Sequence, residues 1–509
     1  MIPKVKDKPK IVIAGPGAGK THDMVNRIIE AMPDLKPNRI LAAITFTNSA
    51  TDSIREKLKN LVQIPPNVFV GTTYSFYNKF IFLPFASLFN YVADDKCFLE
   101  LDIRKIVDKI LKGNQNPKLR NFMRKKILIK LLNEGKVPFE QIASISAKLI
   151  ENTKVREVVS NRIQFLFNDE FQDTDTTQFK VFRAIIKAKK TKIYAVGDPE
   201  QYILGYTYDT RNIKKPLFQN IPINKSLSCS EDLRIKENKR ACDKLVDFTN
   251  NFHSSLDQIS KVGHIENTGV FFIEDTNLGA IISKYINKSQ IFIDSDKDSK
   301  RLFLGYANKT YNGFIEKYRL TQISNDNKRQ KSIIKESLEL MSTMTQLSHS
   351  KLKDKLHIDE IRYRKMGIQI LKAIRSGNIK NVSELAFFLK KELGFEIKNG
   401  DVNLENKLEG LIKLLRNKYN GIQGNNYYSS IHKAKGLEAE CVLVVSKSQN
   451  ELNKWIETDF NKRYEDKTDT CRIGYVGFTR AKKILCIGCQ KTLDKLTKQK
   501  LTDLNVKFL

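Results

Sequence analysis

Apolar residues along the chain fall in short runs set between longer stretches of helical spacing. IVIA at 11–14, RILAAIT at 39–45, NVFVG at 67–71, IQFLFN at 163–168 and KIYAVG at 192–197 are such runs. Runs this short and continuous predict strands buried on both faces. The stretches between them, one beginning near Lys20 and one running through Leu58, carry apolar residues at three- and four-residue spacing and predict helices. Strands alternating with helices predict an α/β fold with a parallel, doubly wound sheet, in which ligands lie at the carboxyl ends of the strands. From about 90 to 160 the alternation gives way to lysine-rich helical pattern near 98–112, 118–134 and 139–159, read as an insertion within the first domain.

Composition widens this picture. A chain of 509 residues exceeds what one core supports and suggests roughly three or four domains. Lysine and arginine number 88 against 57 aspartate and glutamate, and the net charge of +31 is spread along the chain. Such a balance favours a polyanionic partner, with nucleic acid the first candidate and a solvated lysine-rich surface the plain alternative. Seven cysteines without framework spacing fit a reducing, cytoplasmic setting. Cys486 and Cys489 form a CxxC, but within the apolar run ILCIGC, which reads as a buried strand and not as a metal or redox site. The first residues are charged and contain proline, unlike a secretory leader, and the apolar window Phe80–Phe89 is broken by Pro84, so no membrane association is expected.

The strand ends carry the chemistry. In IVIAGPGAGKTHDM the first strand enters a glycine-rich turn, Ala14, Gly15, Pro16, Gly17, Ala18 and Gly19, and then a helix opening with Lys20 and Thr21. Backbone N–H groups of such a turn converge on phosphate, the lysine adds a point charge, and the Thr21 hydroxyl suits Mg²⁺. Phe46, Thr47 and Asn48 follow the second strand, and Thr72, Tyr74 and Phe76 follow the third. Their hydroxyls suit the phosphates and their rings the bases of a bound strand, although any one ring could equally be core. Asp169 and Glu170 end the fourth strand, where the first carboxylate can hold Mg²⁺ and the second can polarise an attacking water. GDPEQ ends the fifth, placing Gln201 to reach a γ-phosphate.

With these motifs in hand, the chain resembles the UvrD/Rep/PcrA-type superfamily 1A DNA helicases. AGPGAGKT, ITFTNSA, GTTYSF, DEFQDT, GDPEQ, SIHKAKGLE at 430–438 and YVGFTRAKK at 475–483 stand in that family's order. The resemblance implies two RecA-like P-loop NTPase domains with helical insertions, ATP and Mg²⁺ bound between them, and DNA-stimulated ATP hydrolysis with 3′ to 5′ translocation on single-stranded DNA. On the family's layout, residues 1–89 and 161–223 form the first RecA-like domain around the insertion 90–160. Residues 224–311 and 421–509 form the second, around a short insertion at 312–420. In that insertion helices are expected at 327–346, 353–375, 381–394 and 402–419. The resemblance also assigns Arg240, near Asn238, and Arg480 as arginines reaching the γ-phosphate from the second domain. It places Gly436 and Glu438 toward nucleotide, Ser430 and His432 toward DNA, and Tyr206 as a ring stacking on a base.

Four departures bear on the base of the nucleotide. The adenine-reading glutamine motif before the phosphate loop is missing, Lys239 replaces an aromatic residue, His22 follows GKT, and Tyr206–Thr207 replace a Trp-Arg pair. Phosphate recognition is thus expected with weak base selectivity. Two functional readings stay open. One is a helicase acting on single-stranded or single-strand-tailed DNA. The other is a nucleotide-gated DNA-sensing subunit that activates a partner nuclease, as in the helicase-like subunit of Gabija-type antiviral defence systems, which the chain resembles in size and layout.

Overall fold

In a computed structural model of the chain, the second strand shows why the first sheet needs helices on both faces. Ile40–Thr45 is buried at every position, with Ile40, Ala42 and Ile44 in one core and Leu41 and Ala43 in the other. Successive side chains of a strand point to opposite faces, so an unbroken apolar strand must be covered twice. The structure describes residues 9–89, 103–111, 114, 116–133, 137–203, 233–295, 298–322, 333–345, 347, 349–358, 360–393, 404–405, 407–412, 425–466 and 468–509.

The first sheet contains β1 (Lys10–Ala14), β2 (Ile40–Thr45), β3 (Val68–Thr72), β4 (Ile163–Asn168), β5 (Lys192–Gly197) and β6 (Leu233–Ile235), ordered β3-β2-β4-β5-β1-β6. Its pairings are parallel. α1 (Lys20–Ala31) and α2 (Asn48–Leu61) cover one face through Met24, Val25, Ile28, Ile54 and Leu58. Phe76, Tyr77, Phe82 and the helices Ile142–Glu151, Thr153–Arg162 and Thr176–Ala188 cover the other. Residues 233–235 thus extend the first sheet, although the sequence places the second domain's start ahead of them.

The expected helix at 139–159 is two helices. Asn152 takes an extended backbone between them, and its Oδ1 accepts from Lys154 N at 3.0 Å and Val155 N at 3.3 Å, capping the second. Both helices pack in the first core, through Ile142, Ile145, Ile150, Val155 and Val159. Within the rest of that lysine-rich segment, Ile103–Ile110 and Pro117–Asn133 are helical.

The second sheet contains β7 (Gly269–Ile273), β8 (Arg301–Gly305), β9 (Asn426–Ser430), β10 (Ala439–Ser446), β11 (Ala481–Cys489) and β12 (Lys507–Phe508), ordered β9-β8-β10-β11-β7-β12. The pairings of β10 with β8 and β11, and of β7 with β11 and β12, are parallel. Val442, Leu443, Val444 and Val445 are fully buried, and burial of each such side chain contributes roughly 1.5–3 kcal/mol. Cys486 and Cys489 lie buried on β11. The fold is therefore α/β, with two RecA-like parallel-sheet cores.

Residues 314–427 form a separate compact unit. Its helices, Ile333–Thr345, His349–Leu356, Glu360–Arg375 and Val382–Leu393, enclose Leu338, Met341, Leu352, Tyr363, Leu385 and Leu389. The helix expected over 353–375 is divided at His357, whose φ of 51° ends the first segment. Much of the helix expected at 402–419 lies outside the described residues. Among the described residues no helix is long and apolar enough to cross a membrane.

Candidate active site

β1 ends at the buried Ala14, and the chain then turns through Gly17 (φ 71°) and Gly19 (φ 78°) into α1. These left-handed backbones favour glycine. At Gly17 space also forbids a side chain, because a Cβ there would fall 2.4 Å from Asn238 Oδ1. Lys20 Nζ donates to Ala14 O at 3.2 Å and Gly15 O at 3.3 Å, so the ammonium is held over the turn. Turn, helix N-terminus and lysine together form an anion cradle.

The loop is met by the segment after β6. Asn238 Nδ2 donates to Pro16 O at 3.0 Å, Lys239 N donates to Gly17 O at 2.9 Å, and Asn238 Oδ1 accepts from Arg240 N at 2.9 Å. Arg240 is thereby fixed beside the phosphate loop. Its Nε lies 2.6 Å from Glu438 Oε2, and Lys482 Nζ lies 3.1 Å from Glu438 Oε1. Burial lowers the Arg240 pKa, with Glu438 and Glu170 opposing the shift. Glu438 is held below the usual carboxylate range because Arg240 and Lys482 outweigh its burial. Gly436, with φ 86°, lies two residues before it.

At the end of β4, Asp169 is 4 % exposed and its N–H donates to Ile44 O. Burial, reinforced by Glu170 and opposed by Lys20, raises its carboxyl to about 7. Glu170 takes the left-handed region at φ 51°, an unusual backbone for this residue. Burial alone would raise its pKa, but the charges of Lys20 and Lys435 hold it below the usual range. Gln172 Nε2 donates to Glu170 Oε2, and Gln172 Oε1 accepts from Asp198 N at 3.0 Å, linking the ends of β4 and β5. Lys435 Nζ donates to both oxygens of Asp173, at 2.6 and 2.8 Å. Burial works against the Lys435 charge, and Asp173 and Glu170 outweigh it, raising the ammonium above its ordinary value.

The turn after β5 also binds the other core. Gln201 Nε2 donates to Asp198 Oδ2 at 2.8 Å, while Gln201 Oε1 accepts from Arg480 Nη2 at 3.3 Å. Arg480 also donates to Val476 O, Leu437 O and Thr479 Oγ1. Burial, together with the neighbouring Arg240, lowers Arg480 to about 10. Asp198 is a hub, accepting also from Glu200 N and contacting His253 Nε2 at 3.0 Å and Tyr475 OH at 3.5 Å.

The residues assigned to DNA are less uniform. Phe46 is 39 % exposed at the end of β2, Thr47 Oγ1 caps α2 by accepting from Ala50 N, and Asn48 opens that helix. Thr72 Oγ1 accepts from Ser75 N at the start of the short helix Thr73–Tyr77, and the half-buried Tyr74 ring packs on Phe139 at 4.9 Å. Phe76 requires a correction, since it is 1 % exposed and packed against Phe69 and Phe80, so its ring belongs to the core. Ser430 is buried at the end of β9. His432 lies edge-on to Tyr306, and burial lowers its pKa. Tyr206 lies outside the described residues.

Sequence reasoning passed over Lys435, Asp198 and His253. Lys435 stands within SIHKAKGLE, so its motif is visible while its partner, Asp173, is not.

For a cation, Thr21 in the first turn of α1 and Asp169 at the end of β4 offer oxygen donors, the set Mg²⁺ prefers. Burial disfavours the charged form of Asp169 and raises its carboxyl to about 7, so a cation beside it would offset the cost of its charge, and these residues fit the metal.

Two parallel-sheet cores, with a phosphate loop on one and the buried Arg480 of the other donating to Gln201 in the turn after β5, define a two-core P-loop NTPase. Residues 1–207 match the AAA domain family. The chain is 23 % identical to the ATP-dependent DNA helicase Rep of Buchnera aphidicola subsp. Baizongia pistaciae over 94 % of this chain and 88 % of Rep. It is 26 % identical to the Gabija protein GajB of Bacillus cereus (strain VD045) over 56 % of this chain and 55 % of GajB. For the ATP-dependent DNA helicase PcrA of Staphylococcus aureus the identity is 24 %, over 41 % of this chain and 34 % of PcrA. These likenesses include helicases of the UvrD/Rep/PcrA type.

Proposed function

We propose that this chain is an ATP-dependent single-stranded DNA translocase and DNA helicase with 3′ to 5′ polarity, whose ATP hydrolysis is stimulated by DNA. The observation that carries the reading is the Gln201 carboxamide, which bonds Asp198 of its own turn and Arg480 of the other core at once. A residue so placed reports the state of the phosphate site to both cores.

Lys20 and the N–H groups of Gly17, Ala18 and Gly19 bind the phosphates, and Thr21 and Asp169 would hold Mg²⁺, which would neutralise phosphate charge. Glu170, kept ionised by Lys20 and Lys435, orients and polarises the attacking water. Arg240 and Arg480 offer planar, permanently charged forks to the γ-phosphate. Loss of that phosphate frees the two arginines and Gln201 to return to protein partners, so hydrolysis is coupled to relative movement of the cores. DNA then lies across the strand ends that carry Phe46, Thr47, Asn48, Thr72 and Tyr74, with Ser430 and His432 on the second core.

A second reading is favoured by the likeness to the Gabija protein GajB. In it the same nucleotide cycle gates a cytoplasmic DNA-sensing subunit that activates a partner nuclease in antiphage defence. Strand displacement on 3′-tailed and 5′-tailed duplexes separates the two. ATP-dependent displacement of the 3′-tailed duplex alone supports the helicase. DNA-stimulated hydrolysis without displacement on either duplex contradicts it and supports the sensor.

A further inference from the structure

The outer edge of the first sheet carries an open groove of about 650 Å³ that the nucleotide cycle does not use. It runs beside β3 and is lined by Arg55, Lys59, Lys79 and Arg162, with no carboxylate among its lining residues. Phe69 and Phe80 are the aromatic part of its apolar wall. Their rings meet edge to face at 5.1 Å, and Lys79 Nζ lies 5.5 Å from each centroid. Of the lining cations, Arg55 is paired with Asp52 at 3.0 Å, while Lys79 lies over the two rings.

β3 is the edge strand of this sheet, and an open edge ordinarily invites an extended peptide. Here the edge is partly closed. Leu41 N donates to Asn67 O, so alternation turns residues 68 and 70 outward. Val68 N donates to Pro65 O at 3.0 Å, and Val70 O accepts from Arg55 Nη2 at 2.8 Å. With those backbone groups taken, the groove recognises a ligand through cations and aromatic surface. Phosphates joined to planar bases match that chemistry, as in proteins that track single strands with basic grooves and ring faces. β3 also leads from the groove directly to Thr72, where DNA is proposed to lie, and the four residue steps from Val68 span roughly 13 Å.

We infer that this groove is an accessory site for single-stranded DNA, holding the part of a strand that extends beyond the contacts at the strand ends. The inference rests on the DNA reading above and adds a dependence on strand length.

The test is anisotropy of dye-labelled thymidine oligonucleotides of two lengths, one just covering the strand ends of both cores and one longer, across a salt series. The full chain is compared with its Lys59→Gln, Lys79→Gln double variant. The variant should bind the long strand about tenfold more weakly and the short strand normally, with a long-strand salt slope shallower by about 1.4, two phosphate contacts at about 0.7 each. Its DNA-free hydrolysis and melting temperature should match the parent's, showing that the fold is intact. Equal affinities of parent and variant for the long strand, or equal loss at both lengths, would overturn the accessory site while leaving the DNA reading in place. Failure of the parent to bind either strand would remove both. A labelled polyglutamate peptide is run alongside; if the parent binds it and the variant loses it while both keep the long strand, the groove serves an acidic protein instead.

Discussion

Lys435 of the second core and Asp173 of the first form a bidentate ion pair, with Nζ at 2.6 and 2.8 Å from the two carboxylate oxygens. The pair stands beside Glu170, and the Lys435 charge is one of the two that hold Glu170 ionised. It therefore joins the cores and, with Lys20, favours the ionised form of the residue proposed as the water-orienting base.

Removing that lysine should cost both stability and turnover. Lys435→Met leaves Asp173 buried without its partner, a change that typically costs about 3–5 kcal/mol. The same change lets the proton affinity of Glu170 rise, so hydrolysis near neutral pH should fall further than unfolding explains. Denaturant melts and a pH–rate profile check this, with the acid limb of the profile moving to higher pH in the variant. An unchanged limb would show that Lys435 serves packing alone.

Asp198 should set acid stability as well as the position of Gln201. Burial would raise its pKa, but His253, Lys20 and the Gln201 amide outweigh burial and hold the carboxyl below the usual range. A depressed folded value means that the ionised form contributes stability above the unfolded pKa of about 4, and that this is lost as pH falls through the folded value. Asp198→Asn should lower the melting temperature at pH 7 and flatten its decline below about pH 4. Parallel melting curves for parent and variant across that range would contradict the assignment.

Base selectivity should be weak. At the position where the family commonly carries an aromatic residue, Lys239 is tied by its N–H to Gly17 O, and its Nζ lies 3.6 Å from Glu237. That side chain offers a charge to solvent and no ring to adenine. GTP and dATP should therefore be hydrolysed at rates within about tenfold of ATP, a difference of about 1.4 kcal/mol. A strict ATP requirement in a turnover assay would place base recognition elsewhere.

Legibility in the sequence followed locality. β1, β2, β4 and β5 are mostly apolar runs, and each such run announces a strand buried on both faces. Helix breaks were harder to see, because Asn152 and His357 interrupt otherwise helical pattern through backbone conformation at single residues. β6 was hidden for another reason, since LRI becomes a strand of the first sheet only by pairing with β1, far away in sequence. Motif spacing led to Lys20, Asp169, Glu170, Gln201, Arg240 and Arg480, which the structure brings to the facing ends of the two cores. It could not reveal that Lys435 meets Asp173 or that His253 meets Asp198, because those partners are chosen by packing. Phe76 failed in the opposite sense: an aromatic residue in a motif at a strand end is equally suited to a ligand or to a core, and burial decided for the core.

The most direct test of the central claim, that nucleotide hydrolysis is completed by arginines of the second core and driven by DNA, is steady-state ATP hydrolysis with and without single-stranded DNA. It compares the parent chain with Lys20→Ala, Glu170→Gln and Arg480→Lys. The parent should be strongly stimulated by DNA, while Lys20→Ala and Glu170→Gln should abolish that stimulation. Arg480→Lys should bind nucleotide with normal affinity yet turn over about 10³-fold more slowly, because an ammonium keeps the charge but loses the fork. Substantial DNA-stimulated hydrolysis in any of the three variants, or a parent rate indifferent to DNA, would contradict it.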